Sequence, residues 1–404
     1  MPRKDLSRRN QLWLLSFALL LTTSAATAEQ KSAEAKQAEP ENSGRSIWTQ
    51  NVTGFRKEHG AIGGYTKRWD LSDLPHYVQK QKLKGTIRIW GNNYIKDGQL
   101  GKLWVEEFKK LQPNLTLEYH LPTGAIAVSA VAAGVADLGM NAKATLTDRL
   151  IFEQVFGHAL TEVMAVTGSF DVYGWAPAGI IVVRKDNPLT QITMRQIDGV
   201  FGGARNGGYV GSVWHTEYPY SRGPEENIRT WGQLGLTGEW ADKPIHVGGQ
   251  NLSAGATLTF SNKVLRGSLQ FVENYQAYTN YIATDGKVNS WSLQVQRAVA
   301  GDRYAMFYAS PLSLSPDLKD LAIQPDGGGP YVKRTLESVR DQSYPLTNHV
   351  FFYLNKNPGQ PVDPKVNEFL HFVLSQEGQE CVQREGRYLP LTGALVREQL
   401  KKLE

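Results

Sequence analysis

Cysteine occurs once in 404 residues, at Cys381, which excludes an intramolecular disulfide and leaves no thiol near the N-terminus for lipid attachment. Net charge is scarce too. The formal value is +5, and Arg3, Lys4, Arg8 and Arg9 supply much of it, so the rest of the chain has little basic excess to offer a nucleic acid. After an apolar run at 12–21, no segment reaches the roughly 18 apolar residues of a membrane span. Catalytic signatures are missing as well. The eight histidines (His59, His76, His120, His158, His215, His246, His349 and His371) show neither HxH nor HExxH spacing, so a metal centre has no motif behind it. His246, on a strand entering a glycine turn, is the one to watch; its plain role is a hydrogen-bonded strand histidine. No G-x-S-x-G elbow surrounds Ser253, which removes the usual support for a serine nucleophile. An enzyme is therefore not expected.

What is present begins with a basic start, the apolar run and the small-residue triplet Ala26-Thr27-Ala28, the pattern of a cleaved export signal over residues 1–28. This predicts a periplasmic mature protein; an uncleaved anchor is the alternative. Ser7-Arg8-Arg9 faintly resembles a twin-arginine signal, but Gln11 stands where such signals carry an apolar residue. Residues 29–45 are charged and small, as in a solvated tether. Through residues 46–84, Trp48, Phe55, Tyr65, Trp69, Leu74 and Tyr77 punctuate polar sequence, which predicts an arm packed on the main body.

Hydrophobic content of 41% supports one or two full cores. From residue 85 the pattern alternates: TIRIWG (86–91) is a strand, LWVEEFKKL (103–111) a helix with one apolar face, and LTLEYHL (115–121) a second strand. AIAVSAVAAGVA (125–136) is a small-residue helix and DLGM (137–140) starts a buried strand. Strands alternating with helices predict a parallel α/β sheet. GIIVVRKDNPLTQITMRQIDGVFGG (179–203) reads as strand, turn and short helix. Helices follow around 255–266 and 291–300, strands at 304–309 and 350–355, and a helix pair over 366–386. No internal repeat is visible.

Four separated segments carry a family resemblance. They are residues 85–148, with Gly-rich loops after the first two strands; residues 179–203, with NPLTQITMRQIDGVFGG; GGQNLSAGATLTF (248–260); and YPLTNHVFFYLNK with FLHFVLSQEGQECVQREGRYLPL, ending at 391. In this order they resemble the type II periplasmic solute-binding proteins, and within them the phosphate-binding components of phosphate ABC transporters. The resemblance implies an α/β fold of two lobes, with mixed sheets flanked by helices and two hinge crossovers. It implies a first lobe of residues 85–174 plus 346–404, a second of 175–345, and hinges near Trp175-Ala176-Pro177 and Tyr344-Pro345. It also implies phosphate or a related oxyanion as ligand, an ABC transporter permease as partner, a monomer and no cofactor.

The same loops are favoured physically, because helix N-termini and backbone N–H groups offer partial positive charge to an anion. Candidate ligand-binding residues are Asn92, Asn93 and Tyr94; Thr123, Gly124 and Ala125; Asn141 and Lys143, which flank Ala142; and Gln250, Asn251, Ser253, Gly255 and Thr257. Family members carry an arginine before the last of these turns and a carboxylate nearby. Here Gln250 or Asn251 takes the arginine's place, which should weaken dianion binding by about 1.5–3 kcal/mol. Lys143 could restore the charge from the opposite lobe or stay solvated; Arg88 and Lys96 are weaker substitutes. Asp302 and Arg303 read as a surface pair of little energetic weight.

Two other readings stay open. Tyr209, Trp214, Tyr218, Tyr220, Trp231 and Trp240 cluster in an insert at 206–240 and could line a site for a sugar or organic anion. Alternatively, the fold is kept while the pocket is lost, giving a cell-envelope interaction protein.

Overall fold

The computed structural model of the protein describes Phe55 and residues 63–404. The expected leader, the tether and Trp48 lie outside the described residues. Residues 63–84 carry no helix or strand, yet they bury Leu71 and Leu74 and pack Tyr65, Trp69 and Tyr77 onto the core that follows. Buried Glu368 holds this segment by accepting hydrogen bonds from the Tyr77 hydroxyl (2.5 Å) and the Lys80 and Gln81 amides (3.0 and 2.9 Å). A buried carboxylate needs such donors to offset its lost hydration.

Strands β1 (Gly85–Gly91), β2 (Leu115–His120), β3 (Leu138–Asn141) and β4 (Thr161–Thr167) join a strand from far along the chain, His349–Leu354, in the first five-stranded sheet. A second five-stranded sheet contains β5 (Ile180–Arg184), β6 (His246–Gln250), β7 (Gln276–Tyr278), β8 (Ala305–Ala309) and β9 (Leu318–Asp320). Numbering the His349–Leu354 strand β10, the orders are β2-β1-β3-β10-β4 and β7-β6-β8-β5-β9. Both sheets are mixed. β1 runs parallel to β2 and β3, whereas β10 is antiparallel to β3 and β4; likewise β6 is parallel to β7 and β8, whereas β5 is antiparallel to β8 and β9. The purely parallel sheet read from residues 85–140 is thus the first half of a mixed one, completed by a strand some two hundred residues away that no local pattern could pair.

Helices cover both faces of each sheet, as a sheet buried on two sides requires. On the first, α1 (Leu100–Leu111) turns Leu100, Trp104 and Phe108 inward, against Phe369 and Phe372 of a later helix. The Trp104 indole N–H donates to the Gly378 carbonyl at 3.0 Å, tying α1 to a segment 274 residues further along the chain. The opposite face carries α2 (Ala127–Ala132) and α3 (Leu146–Phe156). Gly139 lets α2 lie close, since a Cβ there would stand 2.4 Å from the Ala127 carbonyl oxygen. On the second sheet, α4 (Met194–Phe201) and α5 (Gly255–Val264) share a core with Trp231 and Trp240, while α6 (Trp291–Gly301) covers the other side.

Two crossovers join the lobes and hydrogen-bond to each other. Gly168 N–H donates to the Asn348 carbonyl (2.7 Å), Gly179 N–H to Leu346 (2.9 Å), and the Asn348 side chain to the Pro177 carbonyl (2.6 Å). Ala176, at this junction, has a φ of 47°, a left-handed conformation that costs a non-glycine residue about 1–2 kcal/mol. Among the described residues no helix is long and apolar enough to cross a membrane.

Candidate functional site

A cavity of about 520 Å³ opens between the two sheets, at the junction of the crossovers. Four loops reach it, each following the C-terminal end of a strand: Asn92–Tyr94 after β1, Thr123–Ala125 after β2, Asn141–Lys143 after β3, and the turn after β6. Parallel strands place their C-terminal ends on one edge, and helices then begin at that edge, so N–H groups collect there.

In the first loop, Asn92 is buried and its Oδ1 accepts from the Tyr94 amide at 2.9 Å, which fixes the turn. Asn93 donates to Asp97 at 3.0 Å, and the Tyr94 ring leans on Trp175 with centroids 5.1 Å apart. Thr123 begins the second loop in extended conformation and caps a 3-10 turn, Gly124–Ile126, that feeds α2; its Oγ1 accepts weakly from the Ala125 amide at 3.4 Å. The Asn141 side chain lies directly on Gly124, where a Cβ would stand 2.1 Å from Oδ1. Asn141 itself accepts from the Ala142 amide (2.8 Å) and donates to the Lys143 carbonyl (3.2 Å).

Across the cavity, Gln250, Ser253 and Gly255 reach the wall, while Asn251 and Thr257 stand behind it. Asn251 Oδ1 accepts from the Ser253 amide (3.2 Å) and hydroxyl (2.8 Å), shaping the turn. Thr257 is fully buried and donates its hydroxyl to the Gln250 carbonyl at 3.1 Å, which also accepts from the Tyr275 hydroxyl at 2.9 Å. The start of α5 is bare: Ala254 occupies the N-cap and makes no side-chain cap. Its first-turn N–H groups lack intrahelical partners, and Gly255 and Ala256 bring their partial positive charge to the cavity wall.

Among the described residues, only Lys143 and Asp148 carry formal charge on the cavity wall. Asp148 closes a capping box with Thr145, accepting from its amide (2.9 Å) and hydroxyl (2.7 Å). Lys143 is half-buried, and its ammonium makes no hydrogen bond or ion pair among the described residues. Desolvation lowers its pKa, Glu162 opposes that shift, and Arg149 adds to it. Among the described residues no His, Cys, Asp or Glu group could hold a metal ion.

Other sequence candidates sit elsewhere. Arg88 pairs with Asp137 at 2.9 Å, and both it and Lys96 are off the cavity. His246 donates to or accepts from Asp302 at 2.6 Å, and Arg303 bonds Glu239 at 2.7 Å, so the expected Asp302–Arg303 pair gives way to two longer-range ones. None of the six aromatic residues in the 206–240 insert touches the cavity; Trp231 and Trp240 are core. The rings that do are Tyr94, Tyr173, Trp291 and Tyr308, and Asn280, Ser310 and Asn348 add polar groups. Tyr173 and Asn348 come from the crossovers and Asn280 from a loop near α6, positions without an anion-loop pattern in the sequence.

A family model described as the PBP superfamily domain matches residues 81–377, a span that takes in both sheets and all four cavity loops. The chain belongs to the PBP superfamily. Among curated relatives, the phosphate-binding protein PstS of Pseudomonas aeruginosa is 27% identical over 332 residues, covering 82% of this chain and 90% of the relative. Solved structures similar to this superfamily member include an ABC-type phosphate transport receptor from Vibrio cholerae (16% identity, TM-score 0.46, 75% and 99% of the two chains). PstS from Borrelia burgdorferi is another (14% identity, TM-score 0.46, 76% and 100%).

Proposed function

We propose that this protein is a periplasmic receptor, not an enzyme, that captures inorganic phosphate or a related tetrahedral oxyanion between its lobes and delivers it to an ABC transporter permease. The observation that carries this reading is the meeting of two helix starts, at Gly124 and Gly255, from opposite lobes in one cavity whose wall, among the described residues, bears one lysine, one aspartate already bonded to Thr145, and no arginine. Neutral donors hold an oxyanion without the desolvation cost of a buried ion pair. The ligand-binding set is Asn92, Asn93, Tyr94, Thr123, Gly124, Ala125, Asn141, Lys143, Gln250, Ser253 and Gly255, with Asn251 and Thr257 supporting the last turn from behind. The phosphate-binding name of the Pseudomonas relative supports the ligand class. The receptor acts as a monomer released from a cleaved leader.

A second reading, an organic anion, is favoured by one observation: Tyr173, Trp291 and Leu258 give part of the wall an apolar face, within a volume ample for more than five heavy atoms. Calorimetric titration of the mature protein with phosphate, sulfate and glycerol phosphate tests both. Saturable heat from inorganic phosphate supports the first; heat from organic phosphates alone selects the second; silence from all three removes both.

A further inference from the structure

Residues 65–69 precede the span that the family model matches, yet they touch both lobes and a crossover between them. Their anchor is on the first lobe. The Tyr65 N–H donates to the Gly386 carbonyl, the Trp69 N–H to Gln383 Oε1 (2.5 Å) and the Arg68 guanidinium to the Gln383 carbonyl (3.1 Å). Leu71 and Leu74, just beyond, are buried in the first lobe's core. From this anchor the segment reaches the second lobe. Lys67 pairs with Glu337 on the helix Leu336–Arg340, whose Val339 is buried in the second lobe's core. The Trp69 ring takes both the Lys67 ammonium (4.2 Å to its centroid) and the Arg340 guanidinium (4.7 Å). Tyr65 itself packs against both cores.

The first crossover is gripped from both lobes at one residue, Phe170. On the side of the arm, the Tyr65 hydroxyl accepts from the Phe170 and Asp171 amides (2.9 and 3.2 Å) and donates to the Asp171 carboxylate (3.0 Å). On the side of the second lobe, Arg334, bonded to Asp320 of β9 at 3.0 Å, donates to the Phe170 carbonyl at 2.9 Å and lies 4.1 Å over its ring. Further along the same crossover, Tyr173 and Gly174 line the cavity, whereas none of residues 65–69 does. A hinge residue whose N–H and carbonyl are held by different lobes cannot turn without giving up a hydrogen bond. Those bonds therefore favour the arrangement in which they are made, and in it the rim contact between Ser212 and Glu153 is made too. We propose that residues 65–69 are a strap that holds the lobes in their closed arrangement, so that part of the affinity for the ligand resides in a segment that never touches it. This rests on the receptor reading and adds a determinant of release rate to it. A contact that acts only on closure stabilises every bound anion alike, so the strap sets how long a ligand stays and leaves the choice of ligand to the cavity wall.

The test combines release kinetics with a distance between the lobes. Wild type, Tyr65→Phe, Lys67→Met and the charge swap Lys67→Glu with Glu337→Lys are titrated with inorganic phosphate, sulfate and glycerol phosphate, and phosphate release is followed by stopped flow. A nitroxide pair at the exposed positions Gln154 and Lys287, introduced as Gln154→Cys and Lys287→Cys with buried Cys381 left unlabelled, reports the separation of the lobes with and without phosphate. Tyr65→Phe keeps the ring and deletes only the hydroxyl that two crossover amides use. Release should quicken about tenfold, and affinity for every anion that wild type binds should fall by a similar factor, with their ranking kept. The ligand-free distance distribution should shift toward longer separations. Lys67→Met removes an exposed ion pair and should change release by about twofold, and the charge swap should restore it. Wild-type release and wild-type distances in a Tyr65→Phe, Lys67→Met double variant overturn the strap and leave the receptor reading intact. A lower melting temperature with release and distances unchanged marks the arm as structural only and overturns it as well. An altered ranking among the anions shows that Tyr65 acts on the cavity wall and not on closure, which also overturns it. Absence of anion binding in wild type removes the receptor reading, and the ligand-free distances then decide the strap separately: a longer separation in Tyr65→Phe upholds it as a lobe tie, and an unchanged one removes it.

Discussion

The two lobes present helix starts to one cleft but finish them differently. On the first, Thr123 caps the turn leading into α2, and the Asn141 side chain is laid so closely on Gly124 that no Cβ would fit. On the second, Ala254 offers α5 no cap, and a Cβ at Gly255 would meet nothing within 4 Å. One mouth is closed by the protein's own side chains, whereas the other is left for something else to close. Helix N-termini are normally satisfied by Ser, Thr, Asn or Asp, and an alanine there forgoes roughly 1 kcal/mol. Stability withheld at one defined spot is a common mark of a binding site, and under the proposed function the withheld cap marks the lobe whose backbone donors would meet the ligand.

Filling the open mouth should therefore have the largest effect. Ala254→Asp places a carboxylate where its oxygen can accept from the first-turn amides of α5, in a backbone already extended as a cap requires. Phosphate affinity should fall about 100-fold, through lost donors and added like charge, while helix stability rises by about 1 kcal/mol. Titration and melting together read this; a variant that gains no stability and binds normally would show that α5 does not face the ligand. Breaking the closed mouth comes next. In Gly124→Ala the new Cβ would lie 2.1 Å from Asn141 Oδ1 and 2.5 Å from its Cγ. The amide side chain must leave, and affinity should drop about 30-fold with some loss of stability. A finer cut is Gly255→Pro, which deletes a single N–H at the first helical position, where proline suits the helix and follows an extended residue. About tenfold weaker binding at unchanged melting temperature is expected. Equal affinity would remove Gly255 from the set of donors.

Much of this contrast was legible in the sequence, because it rests on local pattern. Strand alternation at 86–91, the small residues of α2 and the run GGQNLSAGATLTF each predict their own element and put glycine and hydroxyl groups at its start. The resemblance then orders these elements into two lobes. What escaped is whatever depends on distant partners. Nothing near residue 350 says that β10 inserts between β3 and β4, and nothing near Lys263 says that its ammonium will meet the hinge carbonyl of Pro345. Arg303 looked like the partner of its neighbour Asp302 and instead bonds Glu239, which comes alongside only after folding. The aromatic residues of the 206–240 insert failed as pocket markers for the same reason: side-chain type is local, but the direction a loop takes is not.

That insert provides the smallest expected effect and the sharpest probe of how the lobes are held. Its hairpin, Gly208–Val210 paired with Val213–His215, extends from the second lobe, and the Ser212 hydroxyl at its tip donates to Glu153 on α3 of the first. Arg205 anchors the base through a buried two-pronged pair with Asp198, both contacts at 2.6 Å. A rigid base with a single polar contact at the tip can hold the rim without fixing the lobes permanently. Ser212→Ala removes one hydrogen bond to a carboxylate, worth about 1 kcal/mol at a partly exposed site. Stopped-flow release of phosphate should therefore quicken about two- to fivefold, with the melting temperature nearly unchanged. Glu153→Gln keeps an acceptor in place and should show the smaller change of the two. If both variants release ligand at the wild-type rate, the tip contact contributes nothing to closure, and the difference between the lobes resides entirely in the way each finishes its helix.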